Sequence, residues 1–322
     1  MLKKAHEGRT GVQLFRFSRT SQSGHFCTIA ALFILFMDLF SVSCRQEVLP
    51  PSPVSKLIFS ACITPGTPAT LEVVTFNAEG FPKAGYTSVT AMASLLKAID
   101  PDVIAFQEIA SSADFDRLTK LMEGWSGFIN PTNNDQWDLA YLVKNSEVSV
   151  VPSSEKLLFT DDAWAFPRPP HELKLKHKSS GKEFYIVNLH LKCCQGSDNE
   201  NSRKSASQKL KAYLDATKPD QPVIVLGDFN GTISSASPSE NPFLNFIDDP
   251  VNYRFTDMEI AKGSPLWWSY PSYPSHIDHI LVTNEIFSGI DTTEVLKASP
   301  CFPEYEAKIS DHRPVELRMV FK

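Results

Sequence analysis

No apolar run in this sequence of 322 residues reaches the roughly 20 residues that a membrane-crossing helix needs. No internal repeat is visible, which excludes solenoids and propellers. Cysteine is sparse. Cys27 and Cys44 fall in the first 44 residues, and the spacing of Cys62, Cys193, Cys194 and Cys301 fits no zinc motif. One disulfide, Cys301 with Cys193 or Cys194, is the expectation for an oxidising compartment, with inert thiols as the alternative. A surplus of positive charge is also missing. Residues 1–44 carry five Lys/Arg and two Asp/Glu, whereas 45–322 carry 26 basic and 35 acidic residues, a net of −9. A domain that acidic has no global field for polyanions, and with no long basic insertion it would need a local basic groove to hold nucleic acid.

What is present at the start is an export-like layout. Lys3, Lys4, Arg9, Arg16 and Arg19 precede the apolar run from Cys27 to Phe40, which ends at Ser41-Val42-Ser43-Cys44. Basic stretch, short apolar core and small residues before a cysteine resemble a bacterial lipoprotein signal over 1–44, lipidated at Cys44. A plain cleaved signal peptide and an uncleaved anchor are the other readings. Each predicts an exported protein: periplasmic, secreted, or tethered to a membrane through the N-terminus. Residues 45–70 hold Pro50-Pro51-Ser52-Pro53 and Pro65-Gly66-Thr67-Pro68, which predict a tether without a core.

From residue 71 to 322, short apolar runs alternate with helical segments, the pattern of an α/β domain. Strands are predicted at Leu71–Phe76, Val103–Phe106, Ala140–Val143, Val148–Val151, Val223–Leu226, Ile277–Val282 and Val315–Phe321. A turn at Lys144-Asn145-Ser146 separates two of them. The alternation Leu173-Lys174-Leu175-Lys176, the turn Ser179-Ser180-Gly181 and the run Phe184–Leu189 predict a hairpin. Helices are predicted after a cap at Thr87 or Ser88, after Ser111 or Ser112, and over 201–217. Polar residues suited to chemistry follow or precede these strands: Asn77, Glu108, His190, Asp228, Asn230, Asp278, Asp311 and His312. Strand ends are where layered α/β proteins gather ligand sites.

Asp, Glu and Asn are the side chains that hold a hard divalent cation, which favours Mg2+ or Mn2+ over zinc. Each residue also has a plainer reading. Asn77 could form an Asx turn, Asp228 could cap the turn at Gly227, and Asp278 could pair structurally with His279.

Six motifs in order resemble the endonuclease/exonuclease/phosphatase superfamily, the group with the pancreatic deoxyribonuclease fold. They are Thr75-Phe76-Asn77, Phe106-Gln107-Glu108, Asn188-Leu189-His190-Leu191-Lys192, Gly227-Asp228-Phe229-Asn230, Ile277-Asp278-His279 and Ser310-Asp311-His312-Arg313-Pro314. The resemblance covers residues 71–322 and implies a four-layer sandwich: two packed mixed β-sheets flanked by helices. It implies that Asn77, Glu108 and Asp311 hold the metal, and that Asp228 orients or deprotonates water. Asn230 would hold a phosphate oxygen. His312, oriented by Asp278, would contact the scissile phosphate, and His190 would donate to phosphate or act as general acid. Glu79 departs from the family pattern, standing where many relatives carry Asp.

Arg168, fixed among prolines in Phe166-Pro167-Arg168-Pro169-Pro170, is a candidate phosphate ligand, with an ordinary surface arginine as the alternative. Trp267, Trp268, Tyr270 and Tyr273 are a candidate stacking wall or, alternatively, loop packing. The expected activity is metal-dependent hydrolysis of a phosphodiester, nuclease-type, by a monomer. A phosphomonoesterase or phospholipase on an inositol phosphate or sphingomyelin-type substrate is the second reading, and a non-catalytic binding module the third.

Overall fold

The structure, a computed structural model, describes residues 58–130, 137–237 and 239–322. The export segment with Cys44 and the tether as far as residue 57 lie outside the described residues.

In the first part of the chain run β1 (Leu71–Phe81), α1 (Tyr86–Ile99), β2 (Val103–Ile109), α2 (Ser112–Leu121), β3 (Trp125–Asn130) and β4 (Asp138–Lys144). The middle holds β5 (Val148–Val150), β6 (Lys156–Leu157), β7 (His171–His177), β8 (Glu183–His190), α3 (Ser197–Thr217) and β9 (Val223–Asp228). There follow α4 (Leu244–Ile247), β10 (Tyr253–Phe255), α5 (Met258–Lys262), β11 (Asp278–Thr283), α6 (Asn284–Phe287), β12 (Ile290–Val295), α7 (Tyr305–Lys308) and β13 (Val315–Met319).

One sheet has the order β12-β13-β1-β2-β4-β3, the other β10-β11-β9-β8-β7-β5 with β6 also on β7. Within them β1 and β2 are parallel, as are β8 and β9, and the remaining neighbours are antiparallel. Both sheets are therefore mixed. Alternation along each strand creates the layers. Leu71 and Val73 of β1 enter the core between the sheets with Ile186, Leu226 and Ile280, while Val74 and Phe76 face an outer core with Leu95, Leu96 and Phe115 of α1 and α2. On the far side, Val187, Val223 and Val225 pack under Leu210 and Leu214 of α3. The result is the expected four layers of helix, sheet, sheet and helix.

Several local expectations are corrected. Gly85, at φ 59°, precedes α1, and neither Thr87 nor Ser88 caps it; Ser88 Oγ instead accepts from Ala84 N at 2.7 Å. A turn does stand at 145–147, as expected, and it carries the chain from one sheet to the other. Residues 58–70 are not a free tether, since Phe59 and Ile63 are buried in the outer core. Cys301 bonds neither Cys193 nor Cys194; it forms a disulfide with Cys62, and the other two are free thiols. Spacing could not reveal this, because the pairing depends on the 58–64 turn folding back onto Phe302, whose ring meets Phe59 at 5.5 Å. Among the described residues, no helix is long and apolar enough to cross a membrane.

Candidate active site

The alternation that buries Leu, Val and Ile between the sheets continues past the core and turns polar. Thr75 and Asn77 extend the inner face of β1, Gln107 that of β2, Asn188 and His190 that of β8, Asp228 that of β9 and Asp278 that of β11. A buried amide layer comes first: Gln107 Nε2 donates to Asn188 Oδ1 at 2.8 Å, and Asn188 Nδ2 donates to the Phe106 carbonyl at 2.8 Å. Beyond it lies the site. Glu108 belongs by parity to the outer face of β2. A register shift and a left-handed φ of 62° turn it inward, where Asn77 Nδ2 donates to its Oε1 at 3.0 Å. Gly227, at φ 150°, brings β9 so near β8 that a Cβ there would lie 1.9 Å from the Leu189 carbonyl, so only glycine fits before Asp228.

Asn77 also donates to Asp228 Oδ2 at 2.9 Å, while its own oxygen accepts from Glu79 N at 3.0 Å. It thus faces the two carboxylates with its amide nitrogen, as a donor that joins them. Asp228 Oδ1 accepts from Asn230 N at 2.8 Å, and Asn230 Nδ2 donates to the Leu191 carbonyl at 3.2 Å. His190 Nε2 stands 3.6 Å from Asp228 and 3.8 Å from Glu108. Ser310 pins the last motif to β1: its hydroxyl donates to the Asn77 carbonyl at 2.7 Å and accepts from His312 N at 3.0 Å. Glu79, ion-paired with Lys83, accepts from Asp311 N at 2.7 Å and so holds the loop that carries Asp311.

The charges are strongly coupled. His312 Nδ1 lies 2.8 Å from Asp278 Oδ2. Burial opposes a charge on His312, but Asp278, with help from Asp228 and Asp311, outweighs it and lifts the imidazole to about 10. His312 is therefore a cation and donor at neutral pH. Burial and the neighbouring Asp278 push Asp228 up to about 7. Burial, together with Glu79, pushes Asp311 up to about 6, against the pull of His312. Burial also raises Glu108. His190 is driven well below its usual value by burial, with Arg168 and His312 adding repulsion, and is neutral. Glu108, His190 and Asp228 have donor atoms within 4.8 Å of one another, and Asp311 Oδ1 is buried with no hydrogen-bond partner. Buried and half-buried carboxyl groups, each costly to ionise alone, fit a divalent cation with oxygen ligands.

A cavity of about 800 Å³ opens beside these groups, lined by Glu108, His190, Asp228, Asn230, Asp311 and His312. Trp268, Tyr270 and Tyr273 line it as well, and Tyr270 stacks on His312 with centroids 4.6 Å apart; Trp267 is not in the lining and instead lies under Lys297. Arg168 is buried, with its guanidinium 5.4 Å from the Trp137 ring, and Trp137 stacks on His190. Trp137 had no signal in the sequence beyond being aromatic. His279 does not pair with Asp278: it points to the opposite face of β11 and meets Asp257, a residue that no motif marks.

These features define a phosphoesterase fold with an acidic, histidine-rich centre at the open end of the inter-sheet space. The chain belongs to the Endonuclease/Exonuclease/phosphatase family, whose model matches residues 74–312. No curated protein matches the sequence. Among solved structures it is similar to TDP2 of D. rerio complexed with a single-strand DNA product, at 15% identity over 78% of this chain and 99% of that one, with a TM-score of 0.60. The human Nocturnin catalytic domain with bound sulfate is 19% identical over 79% and 95%, TM-score 0.56. A mannosyl-6-phosphatase of Bacteroides thetaiotaomicron is 18% identical over 78% and 100%, TM-score 0.56.

Proposed function

We propose that the protein hydrolyses a phosphodiester with the aid of Mg2+ or Mn2+. The observation that carries this reading is the convergence of Glu108, Asp228 and Asp311 with the His312–Asp278 pair on one cavity wall. Glu108 and Asp311 would hold the cation beside Asn77, and a cation bound there neutralises charge on the phosphoryl oxygens. Asp228 accepts the proton of an attacking water, and Asn230 steadies a phosphate oxygen. His312 donates to the scissile phosphate as a cation, while Asp278 holds its orientation. His190 is neutral and serves as a hydrogen-bond donor. Arg168 lies close enough to Glu108 and His190 to lower the first and repel the second, which supports a role near phosphate.

A phosphomonoester or phospholipid is the second reading, and one observation favours it. Among the described residues the cavity lining holds a single arginine, Arg203, and no lysine, with Glu200 and Glu240 along the same wall. That is a poor track for a polyanionic strand. The neighbours span both readings, one with a single-strand DNA product and one a mannosyl-6-phosphatase. A hydrolysis panel with the full chain and Mg2+ separates them: plasmid DNA, RNA, bis-nitrophenyl phosphate, inositol and sugar phosphates, and sphingomyelin. No turnover of any of these with either cation points to the non-catalytic binding module. We also propose that the protein is exported and acts as a monomer. The N-terminal layout supports export, as does a Cys62–Cys301 disulfide, a bond that persists in oxidising compartments.

A further inference from the structure

Behind the candidate active site, on the outer face of β11, lies a second cluster: Asp257, His276 and His279, all buried, with their donor atoms within 4.8 Å. Two histidines and a carboxylate could hold a transition metal or could share protons, and the hydrogen bonds decide between the two. His276 Nδ1 accepts from Ser269 N at 3.3 Å, so the ring's proton is on Nε2, which donates to Asp257 Oδ2 at 2.9 Å. A metal on that Nε2 would require an imidazole stripped of both protons. His279 is different. Its Nδ1 lies 2.5 Å from Asp257 Oδ2 and its Nε2 lies 2.9 Å from the Gly231 carbonyl. Both neighbours are acceptors, so both ring nitrogens must carry hydrogen. Asp257 completes its shell by accepting from Ile280 N at 3.1 Å.

We propose that His279 is a buried imidazolium that bridges the Asp257 carboxylate to the Gly231 carbonyl, and that it is a positioning residue for the candidate active site. Gly231 follows Asn230, whose backbone N–H donates to Asp228. The same cluster reaches the other half of the site through Ser269. The Ser269 hydroxyl accepts from Ile277 N and Asp278 N, and the Ser269 carbonyl accepts from Arg313 N at 2.7 Å, one residue beyond His312. One cation thus ties the Asp228–Asn230 corner to the strand that carries Asp278. The electrostatics agree. Burial opposes charge on both partners, yet each raises the other's charged form, lifting His279 and lowering Asp257. Asp257 and His276 are the titratable groups that face it, and Asp278, on the opposite face of β11, adds only a Coulombic pull toward the charged form.

The positioning role rests on the phosphoesterase reading, but the proton count does not. Long-range 1H–15N NMR of the metal-free full chain at about pH 8, well above the ordinary histidine value near 6.5, reads the count directly. Both His279 nitrogens are expected to be protonated while His276 shows a single Nε2 proton. A neutral His279, or one equivalent of zinc in the purified protein that is lost in Asp257→Asn, overturns the proposal. Asp257→Asn keeps the volume and removes the anion. It should let His279 titrate near neutrality and lower kcat on bis-nitrophenyl phosphate about ten- to a hundredfold, with KM within about twofold. If His279 titrates in that variant and kcat is unchanged, the cation does not position the site. Should Asp257→Asn fail to fold, His279→Gln provides the kcat comparison. Absence of any turnover by the unaltered protein removes the phosphoesterase reading alone.

Discussion

Neutralising Asp278 probes the centre of the proposed chemistry. Its carboxylate is buried against His312 and is the strongest of the anions that hold that ring protonated, ahead of Asp228 and Asp311. The rise from 6.5 to about 10 corresponds to ~5 kcal/mol between the two protonation states at 1.36 kcal/mol per pH unit. Asp278 is the largest of the supports, so Asp278→Asn lowers the His312 value toward the ordinary one, with Asp228 and Asp311 sustaining the rest. His312 donates only while protonated, so its deprotonation sets the alkaline limb of the rate profile. In Asp278→Asn that limb should move to lower pH, and kcat should fall. Steady-state rates on bis-nitrophenyl phosphate from about pH 5 to about pH 10 would show both. The double variant Asp278→Asn/His312→Ala should be barely slower than His312→Ala, because paired residues do not lose independently. An alkaline limb that stays in place, or losses that multiply, refutes the pairing.

Other outcomes follow from the same geometry. Glu108→Ala and Asp311→Ala should each weaken Mg2+ binding in calorimetry while circular dichroism stays unchanged; unaltered affinity in both overturns their assignment as ligands. Asp228 and Asp311 have folded-state values raised from 3.8 to about 7 and about 6. Their contribution to stability is therefore present below about pH 4 and lost as pH rises through 6 to 7. Added Mg2+ should accordingly raise Tm more at about pH 8 than at about pH 5, and an equal rise at both would contradict this. Cys62 and Cys301 are 239 residues apart, so replacing both with serine should cost about 2–5 kcal/mol in denaturant unfolding and leave kcat intact.

The strand ends were legible because the alternation that builds the core also aims Asn77, His190, Asp228 and Asp278 into one space. No pattern of side chains shows that Glu108 is turned inward, since a kink in β2 decides it. The role of Asn77 was only half visible: its place was clear, but the side of its amide that meets the carboxylates is fixed by Glu79 N. Asp257 had no signal at all, lying 22 residues from His279 in a segment with no motif. The partner of Cys301 was hidden because it sits in what read as a tether.

β1 and β13 are hydrogen-bonded neighbours in the interior of their sheet, although they come from opposite ends of the folded region. During synthesis, then, β1 waits with an unpaired edge until residues 315–319 have been made, and Asn77 waits for Ser310 to dock against it. The site therefore cannot be completed on the nascent chain before its last motif has been made. A chain stopped just short of β13 would expose both an open strand edge and unscreened apolar surface, the features that recruit chaperones or lead to aggregation.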